Sequence, residues 1–219
     1  MQKKTQKWAV AIIVAVISIT LIGSSFYALF LPETDQTAEK QKQETLEREY
    51  QERKLLVESL QTKLEANPED TVTALALADA YFEKSNITVQ LNLKEYQEDL
   101  QKAIDLYQKV LLKQDNNAVR LKLANSAFFV GQADLADRTY QQLLAKDPDN
   151  LDALYSYGLF LFYEKGDYKQ AEANWQKAAD LTSDENLKKN LEDMIALAKE
   201  VGSNAVNEES NEKKAEESK

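Results

Sequence analysis

The pattern of apolar and polar positions divides the chain into two parts. Residues 8–31 carry no charged side chain, and at a rise of about 1.5 Å per residue they would form a helix of about 36 Å, long enough to cross a bilayer. After Pro32, apolar residues recur every three or four positions between charged ones, which is the spacing of amphipathic helices. The pattern therefore predicts one transmembrane helix over residues 8–31, followed by an all-α chain.

The charges beside the apolar stretch predict its orientation. Residues 1–7 contain lysines and no acidic residue, whereas the far flank mixes both signs, so the positive-inside rule places residues 1–7 in the cytoplasm. A cleaved signal peptide is the alternative, because residues 23–25 are small. We favour a retained signal anchor, since the apolar run continues to Leu31. The expectation is a single-pass protein of the plasma (inner) membrane with an extracytoplasmic C-terminal domain.

Residues 32–68 carry an apolar stripe that predicts a juxtamembrane helical segment. The stripe lies on one helical face and consists of Leu46, Tyr50, Val57, Leu60 and Leu64. Two uses are open: packing against the next pair of helices, or a short coiled coil through which the chain forms a homo-oligomer. Packing is favoured, because the stripe is only about three heptads long.

A set of small, aromatic and turn residues recurs three times after residue 69. Gly131 and Gly166 mark turns between helices in the second and third copies, where a left-handed backbone costs glycine little. The recurring positions are Leu77, Ala78, Tyr81, Ala103, Tyr107 and Val110; Leu123, Ala124, Ala127, Ala136, Tyr140 and Leu143; and Leu154, Tyr157, Gly158, Ala171, Trp175 and Ala178. Small side chains at this spacing let two helices approach, while an aromatic ring fills the space beside them.

These residues resemble the tetratricopeptide repeat over roughly residues 69–184. The resemblance implies a tetratricopeptide-like (TPR-like) α-solenoid of three helical hairpins. The position that is most often tryptophan in that family holds Ala74, Arg120 and Leu154 here, and the third copy has one extra residue before Gly166. The family pattern therefore predicts the hairpins and leaves these departures to be explained.

The first copy departs most from the pattern, because about thirteen extra residues separate its helices, around residues 84–99. Apolar and polar residues alternate there, which would suit a short extended segment. We expect an irregular loop or an N-terminal extension of the second helix instead.

Beyond the third copy the sequence predicts a capping helix and then a tail. An apolar stripe suited to closing the open end of a solenoid is formed by Leu187, Leu191, Met194, Ile195 and Ala198. The TPR-like domain with this cap is expected over residues 69–201. Residues 202–219 are almost entirely charged or polar, so we expect a disordered tail.

The composition excludes most kinds of catalytic and metal-binding site. The chain has no histidine and no cysteine, which are the usual general base, metal ligand and thiol nucleophile. Its sequence contains no phosphate-binding glycine loop and no catalytic serine elbow. A net charge of −10, with every acidic residue after residue 31, disfavours nucleic acid as a partner. We expect a protein that is not an enzyme and that uses no cofactor or metal.

The resemblance also implies where a protein or peptide partner would bind. In tetratricopeptide solenoids the first helix of each hairpin lines a concave groove, and the matching positions here are Leu75, Asp79, Phe82, Leu121, Asn125, Phe128, Phe129, Tyr155 and Leu159. This lining is largely apolar and suits a helix or an extended segment with hydrophobic anchors. The carboxylate clamp found in some family members is not expected, because only Asn125 matches it.

An N-terminal anchor followed by an outward solenoid resembles bacterial cell-envelope assembly factors, similar to the repeat proteins of cytochrome c maturation. The resemblance implies a membrane-tethered adaptor for protein–protein interaction. The alternative is a structural spacer that oligomerises through the juxtamembrane helix and the membrane span.

Overall fold

The computed structural model describes residues 34–217, which form eight α-helices and no β-strand within those bounds. They are α1 (Thr34–Ala66), α2 (Thr71–Leu91), α3 (Leu93–Lys113), α4 (Asn117–Phe129), α5 (Ala133–Lys146), α6 (Leu151–Phe160), α7 (Tyr168–Leu181) and α8 (Glu185–Glu217). The predicted transmembrane helix (8–31) and cytoplasmic segment (1–7) lie outside the described residues. From α1 to α8, no helix combines the length and apolar character needed to cross a bilayer.

The helices stack as a TPR-like solenoid. Each helix packs mainly on its neighbours in the chain, in the order α1 to α8, so that α2–α3, α4–α5 and α6–α7 form three successive hairpins with α1 before them and α8 after them. This arrangement confirms the all-α fold and the three hairpins expected from the sequence.

Short polar residues fix where the helices begin. The side chains that cap a helix N-terminus by accepting backbone N–H groups are Asp70, Asn92, Asn116, Asn150 and Asp167. The turns inside the second and third hairpins pass through Gly131 and Gly166, with φ of 74° and 64°. Both glycines adopt the left-handed conformation that the sequence predicted.

Small and aromatic side chains hold the two helices of each hairpin together. Ala136, Tyr140 and Ala171 are completely buried, and Trp175 is 1% exposed. In the third hairpin the fit requires glycine, because a Cβ atom on Gly158 would lie 2.2 Å from Trp175 Nε1. The first and second hairpins have alanine at this position and tyrosine in place of the tryptophan. The larger indole therefore goes with the smaller residue facing it.

The extra residue in the third copy is absorbed by a change of helix type. After α6 the chain continues as a π-helical segment, Leu161–Lys165, before the turn at Gly166. A π-helical turn takes in one more residue than an α-helical turn without breaking the helix. Residues before and after the insertion thus keep their contacts with the neighbouring helices.

The insertion at residues 84–99 is helical, and neither the irregular loop nor the extended segment considered from the sequence is present. It lengthens both helices of the first hairpin, so that α2 and α3 have 21 residues each and only Asn92 separates them. Added helical turns satisfy their own backbone hydrogen bonds, and they bury Ile87 and Leu100 between the helices.

A buried polar network fastens this longer hairpin. Lys84 Nζ donates to both carboxylate oxygens of Asp99, at 2.9 Å each, and to Glu95 Oε1 at 2.6 Å. The Thr88 hydroxyl donates to Asp99 Oδ2 at 3.2 Å, and the Tyr50 hydroxyl of α1 donates to Glu95 Oε1 at 3.0 Å. The network therefore joins α1, α2 and α3 at one point.

Charge pairing and burial act in opposite directions within this network. Burial lowers the pKa of Lys84, but its hydrogen bonds to Glu95 and Asp99 outweigh that effect and leave the pKa raised. The pKa of Asp99 is also raised, because its burial outweighs the neighbouring ammonium. Each of these two groups needs the other to stay charged inside the hairpin.

The juxtamembrane stripe packs within the chain. Val57 is 6% exposed, and Leu60 and Leu64 are partly buried against the core of the first hairpin. This is the favoured of the two uses considered from the sequence. Helix α1 thus covers the N-terminal end of the solenoid.

Helix α8 covers the other end. Leu191, Ile195 and Ala198 are buried against α7, with Leu187 and Met194 partly buried beside them. The backbone stays helical to Glu217, whereas the sequence led us to expect a disordered tail from Gly202. Alanine, glutamate and lysine are frequent in this segment and have high helix propensity, which accounts for the difference.

Gly158→Ala should destabilise the protein by about 1–3 kcal/mol, because the new methyl group overlaps the Trp175 indole. The measurement is urea unfolding followed by circular dichroism. In a Trp175→Phe background, the same change should cost at least about 1 kcal/mol less. Equal costs in the two backgrounds would contradict the proposed fit.

Lys84→Met should destabilise the protein by about 3–5 kcal/mol, because it leaves the Asp99 carboxylate buried without a compensating charge. Much of this loss should return in the double variant Lys84→Met/Asp99→Leu, which has no buried charge. Lys94→Met is the matched control, since that lysine pairs only with Glu98 at the surface. A double variant as unstable as Lys84→Met would show that the ion pair is not the cause.

Candidate partner-binding groove

The first helices of the three hairpins, α2, α4 and α6, carry all nine predicted groove residues. Because the hairpins repeat, equivalent positions on these helices lie side by side across the solenoid. Eight of the nine are only partly buried or half-exposed, and Phe129 is 51% exposed. The three first helices therefore carry the predicted residues, which differ in their exposure to solvent.

Six apolar members of the predicted set contribute to the core as well as to the groove. They are Leu75, Phe82, Leu121, Phe128, Tyr155 and Leu159, all packed against buried residues. The ring of Phe128, for example, meets Phe160 edge to face with centroids 5.5 Å apart. A partner would touch only the outer edges of these side chains.

The two polar members, Asp79 and Asn125, accept hydrogen bonds from buried tyrosines. Tyr107 donates to Asp79 Oδ1 at 2.8 Å, and Tyr140 donates to Asn125 Oδ1 at 2.6 Å. In the third hairpin Leu159 takes their place, and the Trp175 indole N–H donates to the Tyr155 carbonyl oxygen at 3.1 Å instead. These polar residues therefore satisfy the aromatic side chains of the second helices.

An aromatic ring recurs at one position of the repeat, at Phe82, Phe128 and Phe162. Each lies eight residues after the position that is usually tryptophan, and each packs against the core. The next residue in the second and third hairpins is also aromatic: Phe129 stacks on Phe128 at 5.7 Å, and Tyr163 meets Phe162 at 4.9 Å. Tyr163 is 59% exposed. Of each such pair, one ring packs inward and the other faces solvent.

Sequence reasoning missed Phe162 and Tyr163. The signal that could have found them is the eight-residue interval from Leu154, which matches the interval from Arg120 to Phe128. Because of the extra residue before Gly166, these two residues lie one position further from the turn than Phe128 and Phe129 do. Val72 was missed too, although it is 79% exposed in the first turn of α2.

The groove is acidic at the first hairpin. Lys122 Nζ pairs with Asp79 Oδ1 at 2.8 Å, which neutralises that carboxylate. Glu83 follows Asp79 by four residues, so the two acidic residues lie on the same side of α2. Glu83 is exposed, and no basic side chain pairs with it within the described residues.

Across residues 34–217, no group of three acidic residues is placed to hold a metal ion. The buried polar side chains of the same range all have hydrogen-bond partners. What the surface offers is exposed apolar area beside a negative charge.

Comparison with known proteins agrees with this description. Residues 121–186, which cover most of the second and third hairpins, match the tetratricopeptide repeat family. Among solved structures, MamA from AMB-1 is 22% identical with a TM-score of 0.53, over 74% of this chain and 79% of that one. A tetratricopeptide repeat protein from Parabacteroides merdae is 19% identical with a TM-score of 0.51, over 73% of this chain and 60% of that one.

These structures support the TPR-like fold and, at such identities, the fold alone. No curated protein matches the chain.

Phe129→Ala and Tyr163→Ala should each change the free energy of unfolding by less than about 1 kcal/mol, because both rings are more than half exposed. Phe128→Ala should cost about 2–4 kcal/mol, since its ring packs on Phe160. Urea unfolding of the three variants measures the difference. A loss at Phe129 as large as that at Phe128 would place Phe129 in the core.

Proposed function

We propose that this protein is a membrane-tethered adaptor that binds a peptide or helix of another protein in the groove formed by α2, α4 and α6, during protein assembly in the cell envelope. The match to the tetratricopeptide repeat family and the solenoid fold support a scaffold for protein–protein interaction. The solvent-facing rings of Phe129 and Tyr163 carry the proposal. Both are aromatic, more than half exposed and at the same position of the repeat, and aromatic residues are enriched where proteins bind each other.

The membrane tether is proposed from the sequence of residues 8–31. A tether confines the solenoid and a membrane-bound partner to the same thin layer, which raises their effective concentration. A shallow groove with a few aromatic contacts would then be sufficient for function. Helix α1 begins at Thr34 and bonds to the first hairpin through Tyr50, so residues 32–49 would separate the span from the solenoid.

The alternative role as an oligomeric spacer has less support. It would use the stripe that includes Val57 and Leu60, and these side chains pack against the first hairpin of the same chain. Self-association through α1 would have to use its outer face, where Leu55 and Leu56 are exposed among charged residues.

Site-specific photocrosslinking in intact cells tests the adaptor. A photoreactive phenylalanine analogue placed at residue 129 or 163 should give one and the same crosslinked protein. The matched controls are residues 112 and 181, which are exposed leucines on the second helices of hairpins. They should not give that product. Crosslinking at all four positions, or at the controls alone, would argue against the groove.

The tether is tested in the same cells. A variant that lacks residues 1–31 should leave the membrane fraction and lose most of the specific crosslink, because its local concentration falls. Protease added to protoplasts should digest the solenoid of the full-length protein. A protected solenoid would contradict the proposed orientation, and undiminished crosslinking without residues 1–31 would contradict the role of the tether.

A further inference from the structure

The two ends of the groove differ, because one position of the repeat is charged in the first hairpin and aromatic in the other two. Glu83, Phe129 and Tyr163 each lie nine residues after the position that is usually tryptophan, on α2, on α4 and on the π-helical segment that continues α6. All three side chains are exposed. The same row therefore presents a carboxylate in the first hairpin and aromatic rings in the second and third.

The carboxylate of Glu83 is available to a partner. Its neighbour one helical turn earlier, Asp79, is already paired with Lys122 and accepts a hydrogen bond from Tyr107. The described residues place no basic side chain within ion-pair distance of Glu83. The net charge of −10 adds to the negative potential there.

The rings of Phe129 and Tyr163 are also available to a partner, because they face solvent. Phe128 and Phe162 hold the backbone beneath them by packing inward. Phe129 and Tyr163 are then presented from helical backbone, so binding costs little ordering of the groove. Neighbouring helices lie about 10 Å apart, which sets the spacing of the contacts that a partner must make.

We infer that the occupant of the groove is an amphipathic segment with lysine or arginine at the end beside Glu83 and large apolar side chains at the end beside Phe129 and Tyr163. Charge complementarity selects the basic end, and the exposed rings select the apolar end. The inference rests on the proposed function and specifies the partner that this same groove takes. An acidic segment would meet Glu83 and the acidic surface with repulsion.

Synthetic peptides and the full-length protein in detergent micelles test the inference. The probes are fluorescent 16-residue helical peptides that share tryptophan and leucine anchors and carry two lysines or two glutamates at either end. Fluorescence anisotropy gives the affinities at low and at physiological salt. We expect one lysine peptide to bind at least about threefold to fivefold more tightly than its glutamate counterpart, with a difference that shrinks as salt rises.

Two variants assign this preference to the groove. Glu83→Lys should remove or reverse it, whereas Glu192→Lys, which makes the same change in net charge on α8, should leave most of it in place. The double variant Phe129→Ala/Tyr163→Ala should weaken every peptide that binds. Equal effects of Glu83→Lys and Glu192→Lys, or no preference for lysine, would overturn the inference.

The outcomes separate this inference from the proposed function. If the aromatic double variant loses binding while Glu83→Lys has no effect, the groove remains a binding site and the basic partner is wrong. If no lysine peptide binds, the inference is also overturned, and crosslinking at residues 129 and 163 in cells decides the proposed function independently.

Discussion

The structure depends on the fit between a small residue on the first helix of each hairpin and a large aromatic residue on the second. Gly158 faces Trp175 in the third hairpin, and the equivalent positions hold Ala78 and Tyr107 in the first and Ala124 and Tyr140 in the second. The size of one member sets the size allowed for the other, because the buried interior has no spare volume. Once this distance is fixed, the positions of the remaining side chains on both helices follow.

The same aromatic residues determine which polar groups can stand in the groove. A buried tyrosine hydroxyl requires an acceptor, and Asp79 and Asn125 supply it from the groove side. Where tryptophan replaces tyrosine, a backbone carbonyl accepts the hydrogen bond and the groove position is free to be Leu159. The polarity of the candidate groove is thus partly a consequence of the core beneath it.

The first hairpin differs from the other two because it contains buried charges. Its longer helices bring charged residues into the interior, where they are tolerable only as a complete set with Lys84 between Glu95 and Asp99. Tyr50 of α1 joins the same set, so the segment that leads from the predicted membrane span is bonded to the solenoid as well as packed on it. The acid at Glu83 stands on this hairpin, and the exposed rings stand on the other two.

Local patterns in the sequence determined the helices, the glycine turns, the capping stripe of α8 and the packing face of α1, because each depends on residues close together in the chain. They also predicted which helices would carry the candidate groove, since repeated hairpins place equivalent positions side by side. The tertiary structure decided what depends on contacts between distant residues. The insertion became two longer helices because Lys84 and Asp99 could pair across the hairpin, and the extra residue before Gly166 became a π-helical turn that kept the third hairpin in register. Only the folded structure shows that Phe128 packs against the core while Phe129 is exposed. Whether an aromatic ring on a helix is buried depends on the helix packed against it.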